Sequence, residues 1–202
     1  MTFYFILKVD LLTFLFLKKI VSELIIVTGG NNAKTSVELL FSNGTRLCSL
    51  PDLLVGRHYP SQTGLVTCGS TEAYTKCETF IEGSWVETHT LSQRRHQHSA
   101  WASPQGVLII GSSYGSATTT ELLTDDGNTT PGFTLDYSTR GACSIEEEHE
   151  VIITGGHTQL SLVTKYQMSG QSQSLPSLNT GRHWHACGYF TNTNGNIVSS
   201  EV

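Results

Sequence analysis

Short apolar runs that end in glycine recur along this chain at a nearly constant interval. They occupy residues 24–30 (LIIVTGG), 65–70 (LVTCGS), 107–112 (VLIIGS) and 151–156 (VIITGG). Their first glycines, Gly29, Gly69, Gly111 and Gly155, lie 40, 42 and 44 residues apart, and a fifth run starts at Ile197, shortly before the last residue, Val202. Each run is continuously apolar and rich in β-branched residues, the pattern of a strand covered on both faces. A fixed period of this length marks one supersecondary unit that buries its apolar faces by stacking on its neighbours.

Each repeat carries further strand-like stretches. Seven to eight residues beyond the anchor glycine come residues 36–41 (SVELLF), 76–80 (KCETF), 119–123 (TTELL) and 162–166 (LVTKY). Turns rich in Gly, Asn, Asp and Ser follow at 42–44, 82–84, 125–128 and 169–170; these residues accept positive φ or bond their own backbone. A third stretch ends in leucine and then arginine: Leu53 to Arg57, Leu91 to Arg95, Leu135 to Arg140 and Leu178 to Arg182. A fourth leads into the next anchor. Beyond residue 23 no stretch has a helical period of useful length. Four short strands per repeat, without crossover helices, predict an all-β chain folded as a β-propeller of about four four-stranded blades.

The same motifs resemble the kelch repeat family. The glycine pair is intact at Gly29-Gly30 and Gly155-Gly156 and is Gly-Ser in the other two repeats; the family's tryptophan is matched by Trp85. The Arg-His step recurs as Arg57-His58, Arg95-His96 and Arg182-His183, with Arg140-Gly141 in the third repeat. The resemblance covers residues 24–200 and implies blades at about 24–57, 58–95, 96–140 and 141–182, with the start of a fifth at 183–202. It further implies a ring of five to seven blades, so these four are expected to form an incomplete or open ring, or one that closes by self-association. Residues 1–23 fit three readings: the inner strand of the first blade over 13–17, a signal-like or anchoring segment, or a non-native start.

The chain has 202 residues, is 38% hydrophobic and 14% charged, and carries a net charge of −5. An acidic balance without a Lys/Arg cluster argues against nucleic acid as a partner. The apolar stretch at 3–17 is too short and too polar for a membrane span. There are five cysteines. Cys68 and Cys77 fall on neighbouring strands of one hairpin, placed to pair in an oxidising compartment, while Cys143 and Cys187 each stand twelve residues before an anchor position, where Ser99 stands in the third repeat. Buried thiols are expected for all five. Two sequons, at Asn43 and Asn128, are too easily produced by chance to place the chain. The compartment stays open, leaning to the cytoplasm with secretion as the alternative.

Up-and-down connectivity sorts the loops onto two faces. One gathers Tyr74, Tyr114 and His157 with the arginine steps: Arg57, His58 and Tyr59; Arg95, His96 and His98; Arg140; and Arg182, His183, Trp184 and His185. The other gathers Asp125, Asp126, Glu146, Glu147, Glu148 and Glu150. Arginine and aromatic residues are enriched in interface hot spots, and loops on a rigid scaffold commonly carry function. The expected function is a protein-interaction module whose Arg/His face docks an extended or acidic segment of another protein. For any single arginine the competing reading is a bond to loop carbonyls of its own or the next blade. Resemblance to kelch proteins also implies two alternatives: substrate recognition within a ubiquitin-ligase adaptor, and a galactose-oxidase-like copper enzyme using tyrosine, histidine and a Tyr–Cys crosslink. The pairs His96/His98 and His183/His185 would each share one side of a strand, but lack the third and fourth ligands that zinc takes. Nothing matches a nucleophile elbow or a phosphate loop. Neither catalysis, nor a metal, nor a cofactor is expected.

Overall fold

A computed structural model describes residues 24–29, 35–41, 46–57, 61–63, 66–69, 74–113, 115, 117–147, 149–185 and 187. The expectations for residues 1–23, His58, Tyr59, Tyr114, Glu148, the Asn43 sequon and the fifth apolar run lie outside them. The described residues form fifteen strands and no helix. They make four small antiparallel sheets, each a meander in chain order. The first sheet holds β1 (Leu24–Thr28), β2 (Val37–Phe41) and β3 (Arg46–Leu50). The second holds β4 (Ser61–Thr63), β5 (Val66–Cys68), β6 (Lys76–Ile81) and β7 (Ser84–Thr90). β8 (Ser99–Ser103), β9 (Gly106–Ile110), β10 (Thr119–Leu123) and β11 (Thr129–Thr134) form the third. The fourth has β12 (Cys143–Glu146), β13 (Glu150–Thr154), β14 (Val163–Gln167) and β15 (Ser172–Leu175). Such sheets are consistent with a propeller-like fold. The chain divides into two compact units, Met1–His96 with Asp125–Thr129, and Gln97–Thr124 with Thr130–Val202.

The repeated glycine has one structural cause. Gly29, Gly69, Gly111 and Gly155 all adopt positive φ, between 60° and 66°. In each, the glycine N–H donates to the carbonyl that opens the next strand: Ser36, Lys76, Thr119 and Leu162, at 2.8–3.1 Å. A left-handed residue turns the chain out of the apolar strand while keeping that bond, and glycine adopts it without steric penalty. The repeated leucine is fixed likewise: Leu53, Leu91, Leu135 and Leu178 donate their N–H groups to Thr35, Thr75, Thr118 and Ser161 at 2.7–2.8 Å. The first three bury their side chains and Leu178 half-buries its own.

In the first unit Val37, Leu53 and Trp85 form a core flanked by Ile26, Leu50 and Phe80, and the Trp85 indole N–H donates to the Pro51 carbonyl at 3.0 Å. In the second, Trp101, Leu108, Ile110, Leu135, Val151, Ile153 and Tyr166 pack together. Burying an aliphatic or aromatic side chain of this kind contributes about 1.5–3 kcal/mol. The third and fourth sheets meet along β8 and β12: Ser99 Oγ donates to the Ala142 carbonyl, Ser144 Oγ to that of Ala100, and Trp101 Nε1 to that of Glu147, at 2.9–3.2 Å.

The expectation of five buried thiols is corrected. Cys68 bonds to Cys77 and Cys143 to Cys187. Cys68 and Cys77 are direct cross-strand partners of β5 and β6, with Cα atoms 4.1 Å apart. Cys143 and Cys187 stand one repeat apart with Cα atoms at 6.0 Å, within the span a disulfide bridges. No helix among the described residues is long and apolar enough to cross a membrane.

A candidate interaction face

The arginine four residues past each repeated leucine has an interior role in the first unit. Arg57 is fully buried. Its Nη1 donates to the carbonyls of Gly69 and Lys76 at 2.6 and 2.9 Å, and its Nη2 donates to Glu78 Oε1 at 2.6 Å. Glu78, itself buried, also accepts from the backbone N–H groups of Leu54 and Val55. Burial pulls the Arg57 pKa down and Glu78 pulls it back up. Arg57 thus ties the first repeat to carbonyls of the next, as the competing reading for the arginines held. Arg95 is fully buried as well. Neither side chain reaches the surface, which corrects their assignment to a partner-binding face.

The third repeat is out of step with the sequence reading. Arg95, Thr139 and Arg182 make the same backbone bond, to the carbonyls of Tyr74, Ala117 and Leu160. Thr139, not Arg140, is therefore the equivalent of Arg95, and it is buried. Four residues past the carbonyls of Tyr74 and Leu160 stand Glu78 and Thr164, so the two correspond, and Thr164 is also buried. Where the arginine becomes threonine, the carboxylate of the following sheet becomes threonine too.

Arg140 is released to the loop face of the second unit, and a cluster forms there. Gln97, Gly141 and Trp184 all have positive φ. They are chained by backbone bonds, Gly141 N–H to the Gln97 carbonyl at 3.0 Å and Trp184 N–H to the Gly141 carbonyl at 2.7 Å. Gly141 has no Cβ because the Trp184 ring lies where one would project. Trp184 is 56% exposed. Its ring is edge-on to His183 at 4.6 Å, which is edge-on to His157 at 5.4 Å. The Arg140 guanidinium lies 6.0 Å from the Trp184 ring, at the limit of a cation–π contact, and its Nε donates to Gln97 Oε1 at 3.0 Å. Backbone bonds from Gly156 to Arg182 and from His157 to Arg140, both 2.9 Å, lace these loops together. Arg182, His183 and His157 are exposed.

His185 turns inward, sharing a hydrogen bond between Nε2 and Thr154 Oγ1 at 2.8 Å. Its pKa is lowered, first by burial and then by the charges of Arg182 and His183. With Arg140 and Arg182 beside Trp184, the cluster presents a positive, aromatic surface. The acidic loop between β12 and β13, with Glu146, Glu147 and Glu150, opens at the other end of the same hairpin. There Glu150 pairs with Lys165 at 2.8 Å. Within this unit the expected polarity of the two loop faces is present.

The remaining candidates fall elsewhere. Tyr74 is half-buried under the exposed Arg94, whose guanidinium is 5.5 Å from its ring. Arg94, rather than Arg95, is the surface arginine of that step. His96 is half-buried and His98 buried. Neither histidine pair lies in a strand, because β8 starts at Ser99 and Gln97 and Trp184 take left-handed backbone; the shared-side geometry expected of them does not arise. Among the described residues no three or more His, Cys, Asp or Glu group to hold a metal. Four cysteines are committed to disulfides, which removes them from any Tyr–Cys crosslink. Arg140 was gathered on this face from sequence, but as the equivalent of the other step arginines; the constant leucine-plus-four spacing was the signal that would have given that position to Thr139.

No protein-family model matches the chain, and no curated protein matches it in sequence. The fold is a known one. A solved structure of YjhT superposes with a TM-score of 0.69 at 11% identity, over 81% of this chain and 66% of that one. The chain therefore spans just under two thirds of YjhT, and at this identity the likeness concerns fold alone.

Proposed function

We propose that this chain is part of a kelch-type β-propeller that acts as a protein-interaction module. On this reading Arg140, His157, Arg182, His183 and Trp184 dock an acidic, extended segment of another protein. The observation that carries it is Trp184: a large indole, 56% exposed, held at a φ of 52° over Gly141 and set among guanidinium and imidazole groups. A bulky residue in left-handed backbone is uncommon, and such positions cluster at functional sites. A rigid aromatic beside arginine guanidinium groups suits carboxylates flanking an apolar anchor. The test is fluorescence anisotropy of labelled peptides, acidic and charge-neutral, against the full chain. Acidic peptides should bind more tightly, weaken as salt rises, and lose at least tenfold in affinity with Trp184→Ala or Arg140→Glu. Equal binding of both peptide classes, or no loss in either variant, would end this reading.

Arg182 supports a second reading of the same end of the chain. It is the repeat equivalent of the buried Arg57, yet it is exposed. Arg57 is buried because the next repeat supplies Glu78 and two carbonyls. A repeat with a carboxylate at that position would cover Arg182 in the same way. Glu38 is the equivalent carboxylate of the first repeat, so a second copy of this chain is one source. Sedimentation of Arg182→Glu, of Glu38→Arg, and of the two mixed checks this: association lost in each variant alone and regained on mixing supports it, and association unchanged by either sinks it.

A further inference from the structure

Asn128 sits at the end of the turn that joins β10 to the outer strand β11, and it opens the triplet Asn128-Thr129-Thr130, the acceptor pattern for N-linked glycans. As a sequence motif it carries little weight. Two structural observations change that. Asp125, Asp126, Gly127, Asn128 and Thr130 are all exposed, so a bulky sugar on this side chain displaces no packed group. Independently, two disulfides engage four of the five cysteines. Disulfides persist in oxidising compartments and are rare where thiols are kept reduced, and the secretory lumen in which they form is also where N-linked glycans are added.

We propose that Asn128 is an N-glycosylation site of a chain matured in an oxidising secretory compartment. The co-reactant is an oligosaccharide carried on a lipid pyrophosphate. A bond forms between Asn128 Nδ2 and the anomeric carbon of the first sugar. The anomeric carbon–oxygen bond breaks, the lipid pyrophosphate leaves with the electron pair, and one Nδ2 proton passes to the transferase's base. The second Nδ2 proton remains, and with it the bond that Nδ2 donates to Asp126 Oδ2 at 2.6 Å, so the modified turn keeps its conformation. The glycan also has a structural use. β11 ends the sheet order β11-β10-β9-β8, carries no charged residue, and exposes Thr130, Pro131, Gly132 and Thr134. An uncharged edge strand is a template for unwanted pairing unless something covers it, and a sugar at its first turn does so.

The experiment is secretion of the full chain from eukaryotic cells behind a supplied signal sequence, with and without peptide N-glycosidase. That enzyme converts a glycosylated asparagine to a carboxylate, which peptide mass spectrometry reads at position 128. Wild type and Asn43→Gln should both shift in mobility on digestion. The glycan at position 128 should vanish in Asn128→Gln and Thr130→Ala and persist in Thr130→Ser. An unmodified Asn128 peptide from the wild-type chain, or no shift in Asn43→Gln, overturns the proposal. The wild-type peptide reading decides even if a variant fails to be secreted.

Discussion

Arg57 and Glu78 show how one residue position can be mistaken for a surface feature. A buried ion pair with every acceptor engaged is marginal compared with an apolar pair, but removing one partner strands the other charge away from water. Arg57→Ala and Glu78→Ala should each cost about 3–5 kcal/mol in urea unfolding, whereas the double change Arg57→Met with Glu78→Leu should recover most of it. Similar losses in the single and double variants would contradict that account. His185 makes a pH prediction. Its folded-state pKa lies below the ordinary 6.5, so below that pH the unfolded chain binds the proton more readily than the folded one. Its contribution to stability is fully present above about pH 6.5 and is lost as pH falls towards the folded value. His185→Gln keeps a side chain able to meet Thr154 but does not titrate. The stability difference between wild type and this variant should therefore shift against the wild type on acidification from pH 7.5 to pH 5, and a difference flat across that range would remove His185 from the pH response.

At the scale of the element, the repeat is held by a short list of equivalent bonds, and the exception teaches most. Thr139 and Thr164 take the positions that Arg57 and Glu78 hold two junctions earlier, and both pairs are buried. Introducing Thr139→Arg alone should leave a buried charge unpaired. Adding Thr164→Glu should return part of the loss, with a coupling of about 1–3 kcal/mol in a double-mutant cycle; strict additivity would show that the two sites do not face one another as Arg57 and Glu78 do. The anchors and strands were readable from sequence because one backbone requirement, a left-handed glycine that still donates its N–H, recurs at Gly29, Gly69, Gly111 and Gly155. The arginine register was not, because Arg140 follows Thr139 directly and the residue type outweighed the spacing from Leu135. The exposed cluster around Trp184 was named as a candidate, but its geometry depends on the left-handed backbone at Gln97, Gly141 and Trp184, which no periodicity announces.

For the whole molecule, two disulfides tie residues within and between repeats. Sequence placed Cys143 and Cys187 at the same position of successive repeats but did not pair them, because equal repeat positions become neighbours only where one sheet's inner strand meets the next. Ser99 marks that contact one repeat earlier, with its hydroxyl on the Ala142 carbonyl at 3.1 Å. The loop closed by Cys143–Cys187 has a sequence separation of 44, against 9 for Cys68–Cys77. Chain-entropy reasoning assigns about 4 kcal/mol to the long loop and about 3 kcal/mol to the short one. Replacing Cys143 and Cys187 together by serine should therefore lower stability more than replacing Cys68 and Cys77, each measured by urea unfolding without reductant. The same pairing fixes the thiol count. Four of the five cysteines are engaged, so unfolded, unreduced chain should take up alkylating agent at one site, Cys48, and at all five after reduction. Uptake at all five without reduction would contradict both pairs and remove the disulfide half of the case for a glycan at Asn128.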